Sequence, residues 1–233
     1  MQTFSLSGNT LKIIAALSML LDHMGIILFP DIIIFRIFGR LAFPIFAFLI
    51  SEGCRYTKNK PRYFFVMALF AVVFQVLYTL VTADMYLNIF FTLSFAILII
   101  YSLQFFSDAI KSKNVPEIII SAAVVILIIA CVYITGQYFL IDYGFWGCML
   151  PAFVYVIPYG QGLCRKILRI SLFALGMFPL IKNVEVPVQI YEFFALIPLF
   201  FYSGKRGKHN MKYFFYIFYP AHIVILYAIS SII

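Results

Sequence analysis

The sequence predicts an all-α, polytopic integral membrane protein, a helical bundle of about nine transmembrane helices in a single domain over residues 1–233. Of the 233 residues, 64% are hydrophobic and 11% are charged, whereas about a quarter of a typical soluble domain is charged. The mean hydropathy is +1.04. The apolar runs are continuous rather than alternating, which argues for helices and against the strands of a membrane barrel.

The apolar runs divide the chain into nine spans, each about long enough to form a membrane helix. The sixth and seventh are the weakest, because Pro151 interrupts one and Gly176 and Pro179 interrupt the other. The spans lie near residues 11–29, 33–51, 63–82, 87–106, 117–135, 143–158, 168–181, 189–203 and 213–232.

The loops between the spans alternate in charge, which predicts the orientation of the chain. The basic loops are residues 55–62, 107–116, 159–169 and 204–212, and the intervening loops carry Asp31, Asp84, Asp142 and Glu185. Basic loops lie on the cytoplasmic side of a membrane. We therefore expect a multi-pass protein of the inner or plasma membrane, with a cytoplasmic N-terminus and an outer C-terminus. Topology accounts for the net charge of +8, so the expected partner is the lipid bilayer and not nucleic acid.

A short list of polar residues is not explained by topology. Asp22, His23, Arg36, Arg40 and His222 fall inside spans, while Glu52 and Glu192 lie at span ends. Ionisable groups at membrane depth are costly and usually mark a pathway or a site. The alternative is a structural ion pair between helices, such as Asp22 with Arg40. The four cysteines have no paired spacing, so neither a disulfide framework nor a metal site is expected.

The two arginines share one helix face, because they are four residues apart. Like charges on one face in lipid repel each other unless an anion lies between them. Asp22 could serve one of the arginines, and a phosphate, a carboxylate or a developing oxyanion could serve the other. Gly39, directly before Arg40, allows a backbone or a ligand to approach closely.

The first span places Lys12 and His23 on nearly the same helix face, eleven residues and about 16 Å apart. This spacing suits a long ligand with an anionic head at the surface and a reactive end at depth, a shape that coenzyme A has. Histidine readily exchanges protons near neutral pH, so His23 is a candidate general base. Asp22 points about 100° away from His23 on a helix, so we expect it to pair with an arginine.

Several stretches resemble the TraX family, which is named for an inner-membrane protein that N-acetylates F pilin. The first block is "LKIIAALSMLLDHMG" followed by "FRIFGRLAFPIFAFLISEGCRYTKN", and the last is "FYSGKRGKHNMKYFFYIFYPAHIVILY". Shorter likenesses are "NIFFTLS" and "DYGFWGCMLPAFVY". A more distant resemblance is to the acyltransferase-3 superfamily, whose early helix carries a basic residue, ten others and then a histidine, as Lys12 and His23 do.

These resemblances imply an acyltransferase-3-like membrane domain that transfers acetyl from cytoplasmic acetyl-CoA. The acceptor would lie at the outer side of the membrane, as a protein N-terminus such as that of pilin or as a cell-envelope glycan. His23 would be the general base, with Asp22 in the catalytic group. Lys12, Arg36 and Arg40 would bind the acyl donor, and His222 and Glu52 would bind the acceptor or relay a proton. No metal is implied.

Two other functions remain compatible with the residues. Intramembrane Asp, His and Arg also occur in proton-coupled secondary transporters, although no inverted repeat is visible here. A structural protein of pilus or envelope assembly would use the same charges to hold its helices together.

Overall fold

The computed structural model describes residues 5–82, 86–157, 162–183, 187–208 and 212–232. Every regular element in these ranges is a helix, and the only other pairings there are two isolated bridges, Leu6 with Tyr202 and Leu87 with Ile141. This confirms the predicted all-α class. Asp84 and Glu185, two acids of the predicted outer loops, lie outside the described residues, and so does the side chain of Lys212.

Ten α-helices and one 3-10 helix follow each other along the described chain. In order they are α1 (Gly8–Ile27), α2 (Ile33–Gly39), α3 (Ala42–Tyr56), α4 (Lys60–Thr82), α5 (Ile89–Ser112), α6 (Val115–Tyr138), α7 (Gly144–Tyr155), α8 (Leu163–Asn183), the 3-10 helix (Pro187–Ala195), α9 (Leu196–Phe200) and α10 (Lys212–Ser230). They form two compact units, one of Met1–Leu49 with Tyr159–Ile233 and one of Ile50–Pro158. A single domain stays a prediction.

Among the described residues, five helical segments are long and apolar enough to cross a membrane, as in a membrane protein. They are Gly8–Ile27, Ile33–Tyr56, Lys60–Leu80, Ile89–Ser112 and Val115–Tyr138. The predicted sixth, eighth and ninth spans correspond to shorter apolar helices. The predicted seventh span lies within α8, whose first turns carry Arg165, Lys166 and Arg169.

The predicted second span is broken rather than continuous, because α2 ends at Gly39 and α3 begins at Ala42. Pro44 has no N–H to donate to the carbonyl of Arg40, so the regular hydrogen-bond ladder cannot pass this point. The break leaves Arg40 at the C-terminal cap of α2, where its N–H still donates to the carbonyl of Arg36 over 3.1 Å.

In the first unit, the loop before α10 is fastened to the N-terminus of α1. The backbone N–H groups of Gly8 and Asn9 donate to the carbonyls of Lys205 and Arg206 over 2.8 and 2.9 Å. The Ser7 hydroxyl caps the same helix by accepting from the N–H of Thr10. A helix leaves its first N–H groups without partners inside the helix, and here this loop and the cap supply them.

The second unit packs α4, α6 and α7 around α5. Ala96, Ile97 and Ile100 of α5 are completely buried. Asn88 caps α5, since its side chain accepts from the N–H of Phe90, and it also donates to the carbonyl of Ala71 in α4 over 2.9 Å. Outward-facing apolar residues cover much of α4 and α6, as expected for helices in contact with lipid.

Candidate functional site

The polar residues predicted from the first and last spans come together in the first unit, where α1 packs against α2 and α10, and α2 packs against the 3-10 helix. Asp22 and His23 are neighbours on α1, and on a helix their side chains point about 100° apart. They therefore take part in two adjacent clusters, one with arginines and one with a second histidine.

The first cluster is an ion network around Asp22. Arg36 Nη1 lies 3.2 Å from Asp22 Oδ2, and Arg40 Nη2 donates to both oxygens of the same carboxylate. The expected pairing of Asp22 with an arginine is thus confirmed, and it involves both arginines. Both arginines therefore contact one carboxylate, whereas the sequence predicted Asp22 for one of them and a second anion for the other.

Two glycines let α1 and α2 approach closely enough for this network. A Cβ added at Gly39 would lie 2.6 Å from Asp22 Cα, and one added at Gly25 would lie 2.9 Å from Phe35 Cβ. Both distances are shorter than van der Waals contact. The close approach expected at Gly39 is therefore that of Asp22 itself.

Sequence reasoning did not assign two further members of the network, Gln189 and Glu192. Arg40 Nη1 donates to Gln189 Oε1 over 3.0 Å, and Gln189 Nε2 donates in turn to Glu192 Oε1. Gln189 is 1% exposed and Glu192 is 0% exposed. Because side chains three apart are aligned on a 3-10 helix, the two residues lie on one face of this element. The network thus extends from Asp22 through Arg40 and Gln189 to Glu192.

The second cluster is a pair of imidazole rings from opposite ends of the chain. His222 of α10 is buried, and its Nε2 lies 3.0 Å from His23 Nδ1. The ring centroids are 4.9 Å apart. The ring of Phe218 stacks on His222 at 5.0 Å, which covers one face of that imidazole.

The hydrogen bonds of the two rings determine where their protons lie. His23 Nδ1 is 2.9 Å from the carbonyl oxygen of Met19, and His222 Nδ1 is 2.7 Å from that of Phe218. A carbonyl oxygen only accepts, so both Nδ1 atoms carry hydrogen. In neutral rings, Nε2 of His222 then accepts from His23, whose N–H is shared between two acceptors. In this arrangement Nε2 of His23 carries no hydrogen, so its lone pair is the basic position of the pair.

The two remaining predicted residues are Lys12 and Glu52. Lys12 is on α1, about three turns before His23, and is half-buried where the positive charge of Arg206 acts on it. Glu52 is buried near the end of α3 and belongs to the second unit. Within the described residues, no group of three or more His, Cys, Asp or Glu side chains could hold a metal ion.

The chain has relatives among known proteins. It is 26% identical over 247 residues to the probable fimbrial assembly protein FimC, serogroup H1, of Dichelobacter nodosus, and the alignment covers 94% of each chain. A stretch of 72 residues is 35% identical to an uncharacterized protein of Rickettsia prowazekii (strain Madrid E), covering 31% of this chain and 27% of that one. No solved structure matches the chain.

The family comparison spans both histidines and the whole ion network. Residues 7–230 match the family described as TraX protein, and they include every residue of the two clusters described above. The more distant resemblance to the acyltransferase-3 superfamily stays a prediction. The match extends over nearly the full length of the chain, and the protein therefore belongs to the TraX protein family.

Proposed function

We propose that the protein is a membrane acetyltransferase that moves an acetyl group from acetyl-CoA to an amine or hydroxyl of an envelope acceptor. The observation that carries this proposal is the His23–His222 pair, in which the lone pair of His23 Nε2 is available as a general base. A positioned histidine that removes a proton in the transition state typically contributes about 10²–10⁴ to the rate.

In this mechanism, His23 Nε2 takes the proton of the acceptor while the acceptor nitrogen or oxygen attacks the thioester carbonyl. A C–N or C–O bond forms, the C–S bond breaks, and coenzyme A leaves as a thiolate that receives a proton. During the attack His23 becomes an imidazolium. Its Nδ1–H points at Met19 and His222, so the new positive charge is shared with the second ring at the moment it develops.

The arginines differ in exposure, which supports different roles for them. The Arg36 side chain is 22% exposed and the Arg40 side chain is 9% exposed. Arg40 also bonds Gln189, so we assign it to holding Asp22 and the 3-10 helix in place. Arg36 is the more accessible of the two, so it is the better candidate to contact the thioester carbonyl, where a cation would stabilise the oxyanion. Asp22 positions both arginines and is not itself a base in this scheme.

The residues along α1 fit the shape of an acyl-CoA. Lys12 and Arg206 place positive charge near the start of α1, where the phosphates of the donor would bind. His23 lies about 16 Å further along the axis, where the uncharged thioester end would reach. The predicted topology puts the start of α1 on the cytoplasmic side, which is where acetyl-CoA is available.

The acceptor is proposed to be an amine or hydroxyl on the outer side of the membrane. The fimbrial-assembly name of the Dichelobacter nodosus relative favours a pilin subunit over a free metabolite. A cell-envelope glycan offers the same nucleophilic groups, so the acceptor class is tested and not assumed in the assay below.

The deciding experiment is acetyl transfer by the purified chain reconstituted in liposomes with radiolabelled acetyl-CoA. Pilin peptides with a free N-terminus and envelope glycans serve as acceptors. The wild type should bind acetyl-CoA and label an acceptor, while His23→Gln should bind the donor and transfer at least 100-fold more slowly. Asp108→Asn, at an exposed ion pair of α5, is the matched control and should keep full activity. If the folded wild type binds no acetyl-CoA, the proposal fails, and proton-linked transport should be measured instead.

A further inference from the structure

A groove on the first unit is not used by the acetyl-transfer site. It has a volume of about 360 Å³ and is lined by Ile170 of α8 and by Leu196, Ile197, Phe200 and Phe201 of α9 and its cap. The groove is shallow and largely open to its surroundings. The lining is purely apolar, so the groove fits a hydrocarbon chain and offers no partner to a polar ligand within its walls.

A cation lies at the rim of this groove. Lys166 Nζ is 4.7 Å from the centre of the Phe200 ring, and Phe200 is one of the lining residues. Lys166 and Ile170 are four residues apart on α8, so they lie on the same helix face. One turn of α8 therefore carries both a positive charge and a wall of the groove.

The helix that carries this cation has the character of a membrane interface. Arg165, Lys166 and Arg169 fall in the first turns of α8, and apolar residues fill most of the remainder. The Arg169 guanidinium lies 5.3 Å above the Phe48 ring within the same unit, so it is held by packing. Lys166 and Arg165 are then the cations of this turn that remain near the surface. Basic residues beside an apolar pocket can recognise anionic lipid head groups.

We propose that the groove binds one anionic phospholipid, with an acyl chain against Ile170, Ile197 and Phe201 and the phosphate beside Lys166. Charge complementarity selects this occupant. In a zwitterionic lipid the choline cation offsets the phosphate that would face Lys166, whereas phosphatidylglycerol presents a net negative charge. The lipid would occupy a site separate from the histidine pair, and the proposal does not depend on the acetyltransferase activity.

The test uses tryptophan quenching by lipids with brominated acyl chains. The chain has one tryptophan, Trp146, so the reporter is Phe201→Trp in a Trp146→Phe background, with Ile197→Trp as a second reporter should the first misfold. The protein is placed in bilayers that mix brominated phosphatidylglycerol or brominated phosphatidylcholine with unlabelled lipid. The groove reporter should prefer phosphatidylglycerol by about fivefold, since one lysine near the surface contributes that factor.

Two controls separate a specific site from general attraction to the surface. Lys166→Gln should abolish the preference, while Arg165→Gln, whose side chain points about 100° away on the helix, should keep most of it. A reporter at Leu127→Trp, on the exposed apolar face of α6, should show no preference. Equal quenching by the two lipids at the groove, an unchanged preference in Lys166→Gln, or the same preference at the α6 reporter would each overturn the proposal.

Discussion

His222 Nε2 lies 3.0 Å from His23 Nδ1, although the two residues are 199 positions apart in the sequence. Each ring is also hydrogen-bonded through Nδ1 to the carbonyl one turn earlier on its own helix. The two backbones therefore set the direction of the whole chain of hydrogen bonds, from His23 to His222. This direction is what leaves Nε2 of His23 as the basic atom, and it can be measured without a substrate.

The first prediction concerns the protonation of the two rings. In protein labelled with ¹⁵N-histidine, both His23 and His222 should show a protonated Nδ1 and an unprotonated Nε2 near neutral pH. The chain has three histidines, so His209→Gln removes the third signal, and single substitutions at His23 and His222 assign the others. A protonated Nε2 on His23 would contradict the tautomer inferred from these contacts and would remove the basis for a general base at this atom.

The second prediction separates the two histidines by function. His23→Gln should lower acetyl transfer by about 10²–10⁴, as expected for loss of a general base. His222→Ala should lower it less, because His23 keeps its own bond to Met19. His222→Gln should recover part of that loss, since its amide oxygen can accept from His23 Nδ1. The measurement is the pH profile of kcat for each variant, and equal rates for the alanine and glutamine variants at position 222 would show that His222 only fills space.

The third prediction concerns the stability of the ion network. Asp22→Asn removes the anion shared by Arg36 and Arg40 and leaves two close positive charges, so the free energy of unfolding should fall by about 3–5 kcal/mol. Arg36→Gln should be milder than Arg40→Gln, because Arg40 is more deeply buried and also holds Gln189. Thermal or denaturant unfolding in detergent measures both effects.

The matched control for the network is Asp108→Asn. Asp108 pairs with Lys111 across 2.8 Å, but both side chains are mostly exposed, and exposed pairs contribute little to stability. The variant should unfold like the wild type. If Asp22→Asn also unfolds like the wild type, the network does not hold α1 and α2 together. Asp22 would then have to act in the reaction and not in stability.

Much of the fold and five of the seven residues of the two clusters could be predicted from the sequence. Asp22, His23, Arg36 and Arg40 stand out because a charge in an apolar run is costly. The break after Gly39 was missed, because a proline three or four residues into a helix is visible only when the helix start is known. Continuous apolar runs gave no sign of that start.

The roles of Gln189 and Glu192 could not be predicted for a different reason. Gln189 and Glu192 are three residues apart. Side chains at this spacing point about 60° apart on an α-helix, whereas they are aligned on a 3-10 helix. A 3-10 helix of nine residues is uncommon, so the alignment could not be expected from the pattern of residues. The available signal was a glutamine and a glutamate within an apolar span. The same two residues are also expected at the end of a span that faces water.

The fourth prediction tests the close approach of α1 and α2. Gly39→Ala would push a methyl group into Asp22, so the free energy of unfolding should fall by about 1–3 kcal/mol or more. Gly136→Ala in α6 is the control, because a Cβ there would meet only Ile141 Cδ1 at an ordinary 3.7 Å. The measurement is the unfolding midpoint of each variant. Similar midpoints would mean that α1 and α2 can move apart without a loss of stability.

The fifth prediction concerns the proposed donor site at the start of α1. Lys12→Gln should raise KM for acetyl-CoA several-fold and leave kcat nearly unchanged, because it removes a contact to phosphate and not to the reacting carbonyl. Acetyl-pantetheine has the same thioester but lacks the nucleotide phosphates. With this shorter donor, the wild type and Lys12→Gln should have the same KM.

The comparison of the two donors carries the argument, because a variant that merely disturbs α1 would impair both of them. Lys58→Gln, in the basic loop after α3, is the control for a general loss of positive charge and should leave both KM values unchanged. Arg206→Gln should behave like Lys12→Gln, since the two charges lie close enough to act on each other. If Lys12→Gln affects both donors equally, the phosphates bind elsewhere, while the role of the histidine pair is judged separately by its own variants.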